Sequence, residues 1–241
     1  MRSYKDHIRS VIHSAGYDIH RLSADSNPSF QLLKALKRFN VDLIFDIGAN
    51  VGQFSSDLRS VGYKGKFVSF EPLSVAHRTL VESARRDETW LIHSRGAIGE
   101  RDGEIEIHIA GNSVSSSVLN MLDAHSSSAD GSAYVETERT PISKLDTVAP
   151  SYLAGINRPF LKIDTQGYEW QVLDGAVETL SRVCGVLCEL SLIPLYEDQR
   201  LWMDMIRRLE GEGFTLWSIQ KGFTDARDGR TLQIDAVFFR V

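Results

Sequence analysis

From Leu43 onward the chain alternates short apolar runs with segments of helical spacing, and four of the runs end in a carboxylate: Asp46, Glu71, Asp164 and Glu189. Strand–helix alternation predicts a mostly parallel sheet with helices on both faces. In such sheets a ligand binds beyond the C-terminal ends of the strands. The four acids therefore fall where a site is expected, and their joint placement is the strongest functional signal in the chain.

The predicted strands are Leu43-Ile44-Phe45, Phe67–Phe70, Trp90–His93, Phe160–Asp164, Val186–Leu190, Phe214–Ile219 and Ile234–Phe239. Helices are predicted over 53–61, 74–86, 168–181 and 199–212, with Val75, Leu80 and Val81 anchoring the second of these. No helix separates the last two strands, so they are expected to pair as an antiparallel hairpin. Residues 1–40 read as an N-terminal helical cap in two segments, parted by Ser26-Asn27-Pro28-Ser29, which can start the second helix. Residues 41–241 read as one α/β domain. Its 100–150 stretch holds a half-buried strand (Ile105, Ile107, Ile109) and a serine-rich loop from Ser113 to Ser132, expected to be mobile.

Composition narrows the partners. A formal charge of -5 over 241 residues gives no broad basic footprint, which argues against nucleic acid. No apolar run approaches the roughly 20 residues of a membrane span, and the charged start lacks the apolar stretch of a signal peptide. A cytoplasmic protein is expected. Arg2, Lys5, Arg9 and His13 form a mildly basic helix face, most simply a solvated one. The sharper reading is a lip for peripheral contact with a membrane-associated acceptor. Nothing in the sequence selects an oligomeric state. Cys184 and Cys188, roughly 13 Å apart if on one strand, are too far apart for a disulfide and read as packing residues.

The segment Asp46-Ile47-Gly48-Ala49-Asn50-Val51-Gly52 follows a strand and opens a helix, the setting of a nucleotide-binding loop. The dinucleotide pattern needs a glycine where Asn50 stands, so that backbone can approach a pyrophosphate. Asp46 places negative charge beside the loop, which disfavours phosphate and favours a cationic ligand. S-adenosylmethionine carries an ammonium and a sulfonium and no phosphate. Glu71 stands at the interval of a ribose-binding acid at the end of the second strand. A nicotinamide-dependent oxidoreductase and a non-catalytic scaffold stay open as alternatives, the first disfavoured by Asp46 and Asn50.

The segments DIGANVGQFS, FEP, GAIGERDGEIEI, ISKLDT and LKIDTQGYEWQVLDGA, in this order, resemble the FkbM family of methyltransferases over roughly residues 40–240. The resemblance implies a Rossmann-like class I methyltransferase fold with a seven-stranded sheet and an antiparallel last strand. It also implies O-methylation of sugar hydroxyls on natural products and glycolipids. The N-terminal helices and length look like actinobacterial, especially mycobacterial, members. Carried over by position, Asp46, Gly48, Asn50 and Gly52 would hold the amino-acid end of S-adenosylmethionine, Glu71 its ribose, and Ser94 to Ile98, with Ala97 and Ile98, would lie near the adenine; Asp164 counts among the cofactor-binding residues as well as the catalytic ones. Gln166 departs from the Glu that the family often has there.

A sugar hydroxyl is a weak nucleophile and gains from a positioned base. Asp164, ending a central strand beside the loop, is the first candidate, with His93, His125 and Glu189 behind it. His93 reads more simply as a core residue, and His125 as a solvated one unless the serine-rich loop closes as a lid. Lys162 is expected to pair with Asp146 or Glu189. Glu169 reads equally as a helix cap and a substrate contact. Tyr168, Trp170, Tyr196 and Trp202 could wall a sugar ring, though core packing is the plainer reading. Some related sugar methyltransferases use magnesium; it is not favoured here, since no clear cluster of three acids is present and Gln166 removes a charge.

Overall fold

A computed structural model describes residues 4–17, 19 and 23–241. The N-terminal segment forms α1 (Tyr4–Ser14) and α2 (Pro28–Arg38). Asn27 caps α2, its side-chain oxygen accepting from the Phe30 N–H at 2.8 Å with Pro28 at the first helical position, as the sequence predicts. Arg2 and the side chain of Lys5 lie outside the described residues, while Ile8, Val11, Arg9 and His13 are exposed.

The chain then runs β1 (Leu43–Ile47), α3 (Gln53–Ser60), β2 (Lys66–Phe70), α4 (Ser74–Ala84), β3 (Trp90–Ile92), β4 (Ala97–Ile98), β5 (Gly103–Ala110), α5 (Asp123–Ser126), β6 (Tyr134–Ser143) and α6 (Leu145–Val148). It continues through β7 (Pro159–Ile163), α7 (Glu169–Asp174), α8 (Val177–Arg182), β8 (Gly185–Ser191), α9 (Trp202–Gly211), β9 (Thr215–Lys221) and β10 (Gln233–Phe239). Seven strands form one sheet in the order β3-β2-β1-β7-β8-β10-β9. All neighbours are parallel as far as β8; β10 runs antiparallel to both β8 and β9.

Successive side chains of a strand point to opposite faces, and both faces are covered. Leu43, Phe45 and Ile47 pack with Val172, Leu180 and Leu209 beneath α7, α8 and α9. Ile44, Phe67 and Phe160 pack on the other face with Leu36, Leu58 and Leu80 of α2, α3 and α4. Double coverage explains why β1 and β7 are buried end to end. Both cysteines are buried and free. Among the described residues no helix is long and apolar enough to cross a membrane.

Four expectations are corrected. Val75 and Val81 are 66% and 43% exposed; Leu80 anchors α4 as expected, joined by Ala76 and Ala84. The helix predicted over 168–181 divides into α7 and α8 at Gly175. There a Cβ would lie 1.8 Å from the Gly99 carbonyl oxygen, and Asp146 restarts the helix by accepting from the Glu178 and Thr179 N–H groups. Residues 97–143 contain a second sheet, β4-β6-β5, in which β6 is not legible from sequence because its exposed positions are polar over most of its length. The Ser113–Ser132 stretch is packed rather than open: Ser115, Ser117, His125 and Ser132 are all buried.

Candidate active site

The C-terminal ends of β1, β2, β7 and β8 open into a cavity of about 470 Å³, within the range of small-molecule sites. Its floor is Gly48, Asn50, Glu71, Asp164 and Glu189; Ala97 and Ile98 form one wall. The serine-rich stretch from Asn112 to Val118, with His125 and Phe223, forms the rest of the enclosure. Of the residues singled out in the sequence, Gly48, Asn50, Glu71, Ala97, Ile98, Asp164 and His125 meet here, and Asp46, Gly52 and His93 do not.

Asp46 lies beneath the loop, fully buried. Lys162 Nζ sits 3.0 Å from its Oδ1, and Ser55 and Ser69 hydroxyls donate to its Oδ2 at 3.1 and 3.3 Å. Its charge is thus spent on Lys162, not offered to a ligand. The strand register puts Lys162 directly beside Asp46, which is why Asp46, rather than Asp146 or Glu189, is its partner. The ammonium also lies 3.5 Å from Asp164 Oδ2 and donates to the Gly48 carbonyl at 3.0 Å. Burial opposes its charge, but the Asp46 and Asp164 carboxylates outweigh that and hold its pKa above the ordinary lysine range.

Gly52 has φ +93 and precedes α3; a Cβ there would lie 2.7 Å from the Trp90 ring, so its part is packing. His93 turns away from the cavity. Its Nδ1 is 2.7 Å from the Tyr152 hydroxyl and its ring lies 4.9 Å from that of Phe70, so edge strand β3 spends it on the core. His125 reverses the solvated reading. It is 2% exposed, with Nε2 3.1 Å from Ser115 Oγ, and burial lowers its pKa to about 4.

Glu71 ties the loop to the end of β2, accepting from the Asn50 N–H at 2.8 Å and the Leu73 N–H at 2.9 Å. Burial raises its pKa to about 7 against those two bonds. A carboxylate has about four acceptor positions, so both oxygens keep capacity towards the cavity. Gly48 has φ +75, and its Cα passes so near the end of β7 that a Cβ would lie 1.8 Å from the Asp164 carbonyl oxygen.

Glu169 is a cap, but of the preceding loop: its Oε1 accepts from Thr165 N–H at 2.9 Å, Thr165 Oγ1 at 3.2 Å and Gly167 N–H at 3.1 Å. Burial raises its pKa from 4.5 to about 7. The folded state therefore holds this proton more tightly, and the associated stability is complete below pH 4.5 and lost as pH rises through about 7. The shift corresponds to at most about 3 kcal/mol. Glu169→Gln keeps an oxygen for the three donors. Its melting temperature is expected to equal that of the parent near pH 4.5 and to exceed it at about pH 8; a constant difference across that range would refute this account.

Of the four aromatics, only Tyr168 reaches the cavity, its hydroxyl bound to Glu100 at 2.6 Å. Trp170 and Trp202 pack against the core beneath α7–α9, and Tyr196 is buried behind the wall. Sequence reading misses Gln233 and Phe223, which come from β10 and the turn before it and carry no local motif. The Lys162–Asp164 pairing is within its reach, since residues two apart on a strand share a face.

The strand order, the antiparallel last strand and the cavity at the parallel strand ends define a class I methyltransferase fold. The chain belongs to the FkbM methyltransferase family: the model of the methyltransferase FkbM domain matches residues 46–216. No curated protein matches the sequence. Among solved structures, the chain is similar to magnesium protoporphyrin IX methyltransferase from Synechocystis PCC 6803 with bound SAM, at 10% identity and TM-score 0.48, covering 100% of this chain and 99% of that one. It is also similar to the methyltransferase domain of bacterial CtHen1-CN (10%, TM-score 0.48, 90% and 100% covered). A third likeness is to a putative S-adenosylmethionine dependent methyltransferase from Listeria monocytogenes (9%, TM-score 0.47, 88% and 98% covered).

Proposed function

We propose that this chain is an S-adenosylmethionine-dependent O-methyltransferase acting on a hydroxyl of a sugar, carried by a glycolipid or another glycosylated natural product. One observation carries the reading: a single cavity joins the Gly48–Asn50 loop and Glu71 to Asp164, a carboxylate whose side chain is 36% exposed. The donor set suits a cationic ligand. Among the described residues lining the cavity Lys162 is the only lysine or arginine, and it is already held by two carboxylates. A pyrophosphate would meet Glu71, Asp164 and Glu189 with no free cation, which argues against a nicotinamide cofactor. Gly48 and Asn50 would hold the amino-acid end of the donor, Glu71 its ribose hydroxyls, and Ala97 and Ile98 would flank its adenine.

When bound, S-adenosylmethionine supplies a methyl group already activated on a sulfonium. The protein then has to align the acceptor and remove a proton. In that transfer Asp164 would take the proton of the acceptor hydroxyl, leaving a methyl ether on the acceptor and S-adenosylhomocysteine as the second product. The exposed Ile8 and Val11 on α1 support peripheral membrane contact as the route to a lipid-linked acceptor.

Incubating the protein with methyl-labelled donor and a glycolipid extract, followed by mass spectrometry, is expected to yield a methylated sugar. Tight NAD binding without S-adenosylhomocysteine binding would sink the reading. Asp164→Asn is expected to lower turnover by about a hundredfold or more and to change the affinity for S-adenosylhomocysteine by no more than about twofold. Unchanged turnover would remove Asp164 as the base.

A further inference from the structure

Gln166 adopts a left-handed conformation, φ +53, a setting that disfavours residues with a Cβ. Its surroundings hold it there. Glu169 Oε1 accepts from the N–H groups on either side of it, at Thr165 and Gly167, and Ser117 Oγ donates to its carbonyl at 2.6 Å. The consequence is a side chain aimed between two carboxyls from different strands. Its Nε2 lies 3.0 Å from Asp164 Oδ1 and 2.7 Å from Glu189 Oε2, which uses both hydrogens of the amide nitrogen. Its Oε1 accepts from the Tyr196 hydroxyl at 2.9 Å, which fixes the end of the amide that faces the acids. Gln233 on β10 donates a second bond to Glu189 Oε2 at 2.7 Å.

We propose that Gln166 is a positioning residue: its amide holds Asp164 and Glu189 as one carboxyl pair and fixes the orientation in which Asp164 meets the acceptor hydroxyl. An amide is suited to this place because it donates to both acids while adding no charge, whereas a third carboxyl would compete with them for protons. The groups facing Glu189 are Asp164 and Lys162 from β7 and its end, Asp235 on β10 and Glu169 on α7. Burial, then the charges of Asp164, Asp235 and Glu169, push Glu189 well above the ordinary carboxylate range, against Lys162.

The kinetic consequence rests on the methyl-transfer reading; the clamp itself does not, and the two are tested separately. Side-chain carboxyl carbons of Asp and Glu, labelled with 13C, are followed by NMR through a pH titration of the full chain without substrate. In Gln166→Glu the titration of the Asp164–Glu189 pair is expected to move up by about one pH unit or more. The acid limb of the kcat profile, measured with labelled donor, is expected to move with it while KM stays nearly constant. An unmoved carboxyl titration overturns the clamp. If Gln166→Glu does not fold, Tyr196→Phe decides: it removes the hydroxyl that orients the amide, which also lies 3.2 Å from the Ser115 carbonyl oxygen. It is expected to shift the same carboxyl resonances and lower kcat several-fold, and resonances identical to the parent's overturn the proposal. A shifted titration in a protein that methylates no hydroxyl acceptor supports the clamp and sinks the acceptor reading.

Discussion

Gly48→Ala is expected to lose at least about a hundredfold in affinity for S-adenosylhomocysteine, with a fall in melting temperature that marks a displaced loop. The added methyl would stand 1.8 Å from the Asp164 carbonyl oxygen, well inside any tolerable contact, and that oxygen follows directly on a fully buried central strand. Close-packed interiors do not yield by such distances, so the loop moves instead and takes Asn50 with it. The positive φ adds about 1–2 kcal/mol for any residue with a Cβ. Gly155→Ala separates the two effects, since Gly155 has φ +73 but nothing within 4 Å of the place a Cβ would occupy. Calorimetric titration of both variants is the measurement. Equal affinities in the two, both as tight as the parent's, would show that crowding against the end of β7 does not displace the loop.

Lys162→Met is expected to cost about 3–5 kcal/mol of stability, the usual penalty for stranding one partner of a buried ion pair. Asp46 is fully buried and would keep only two serine hydroxyls. The Asp46→Asn, Lys162→Met double variant should recover much of the loss, because a neutral amide needs no counter-charge there. Urea denaturation of the three proteins measures this. A loss under about 1 kcal/mol in the single variant would mean that the pair contributes little and that Asp46 is accommodated some other way.

Strand positions and the four terminal carboxylates are legible in the sequence because period and sheet direction fix them. Glu71, Asp164 and Glu189 reach the cavity as expected. Asp46 sits at the same kind of strand end and yet faces inward, since its neighbour across the sheet is a lysine. That pairing depends on register between strands more than a hundred residues apart, which no local pattern encodes. His125 is hidden for a related reason. Serine-rich composition signals a solvated loop, but here the small hydroxyl side chains bond to nearby backbone and let the segment close over the strand ends. Val75 and Val81 mislead because an apolar residue at helical spacing need not face the sheet when Ala76 and Ala84 permit a closer approach.

The position of β10 bears on how the molecule comes into being. The last strand in chain order lies inside the sheet, between β8 and β9, and brings Gln233 to Glu189 and the Phe239 ring to 4.0 Å from that of Phe39 after α2. During synthesis, β9 has no partner in the sheet until β10 arrives, because the two edges it would bridge are joined only through that strand. A chain without residues 233–239 would carry the loop, Glu71 and Asp164 but lack the strand that joins β9 to β8 and the Gln233 amide at Glu189.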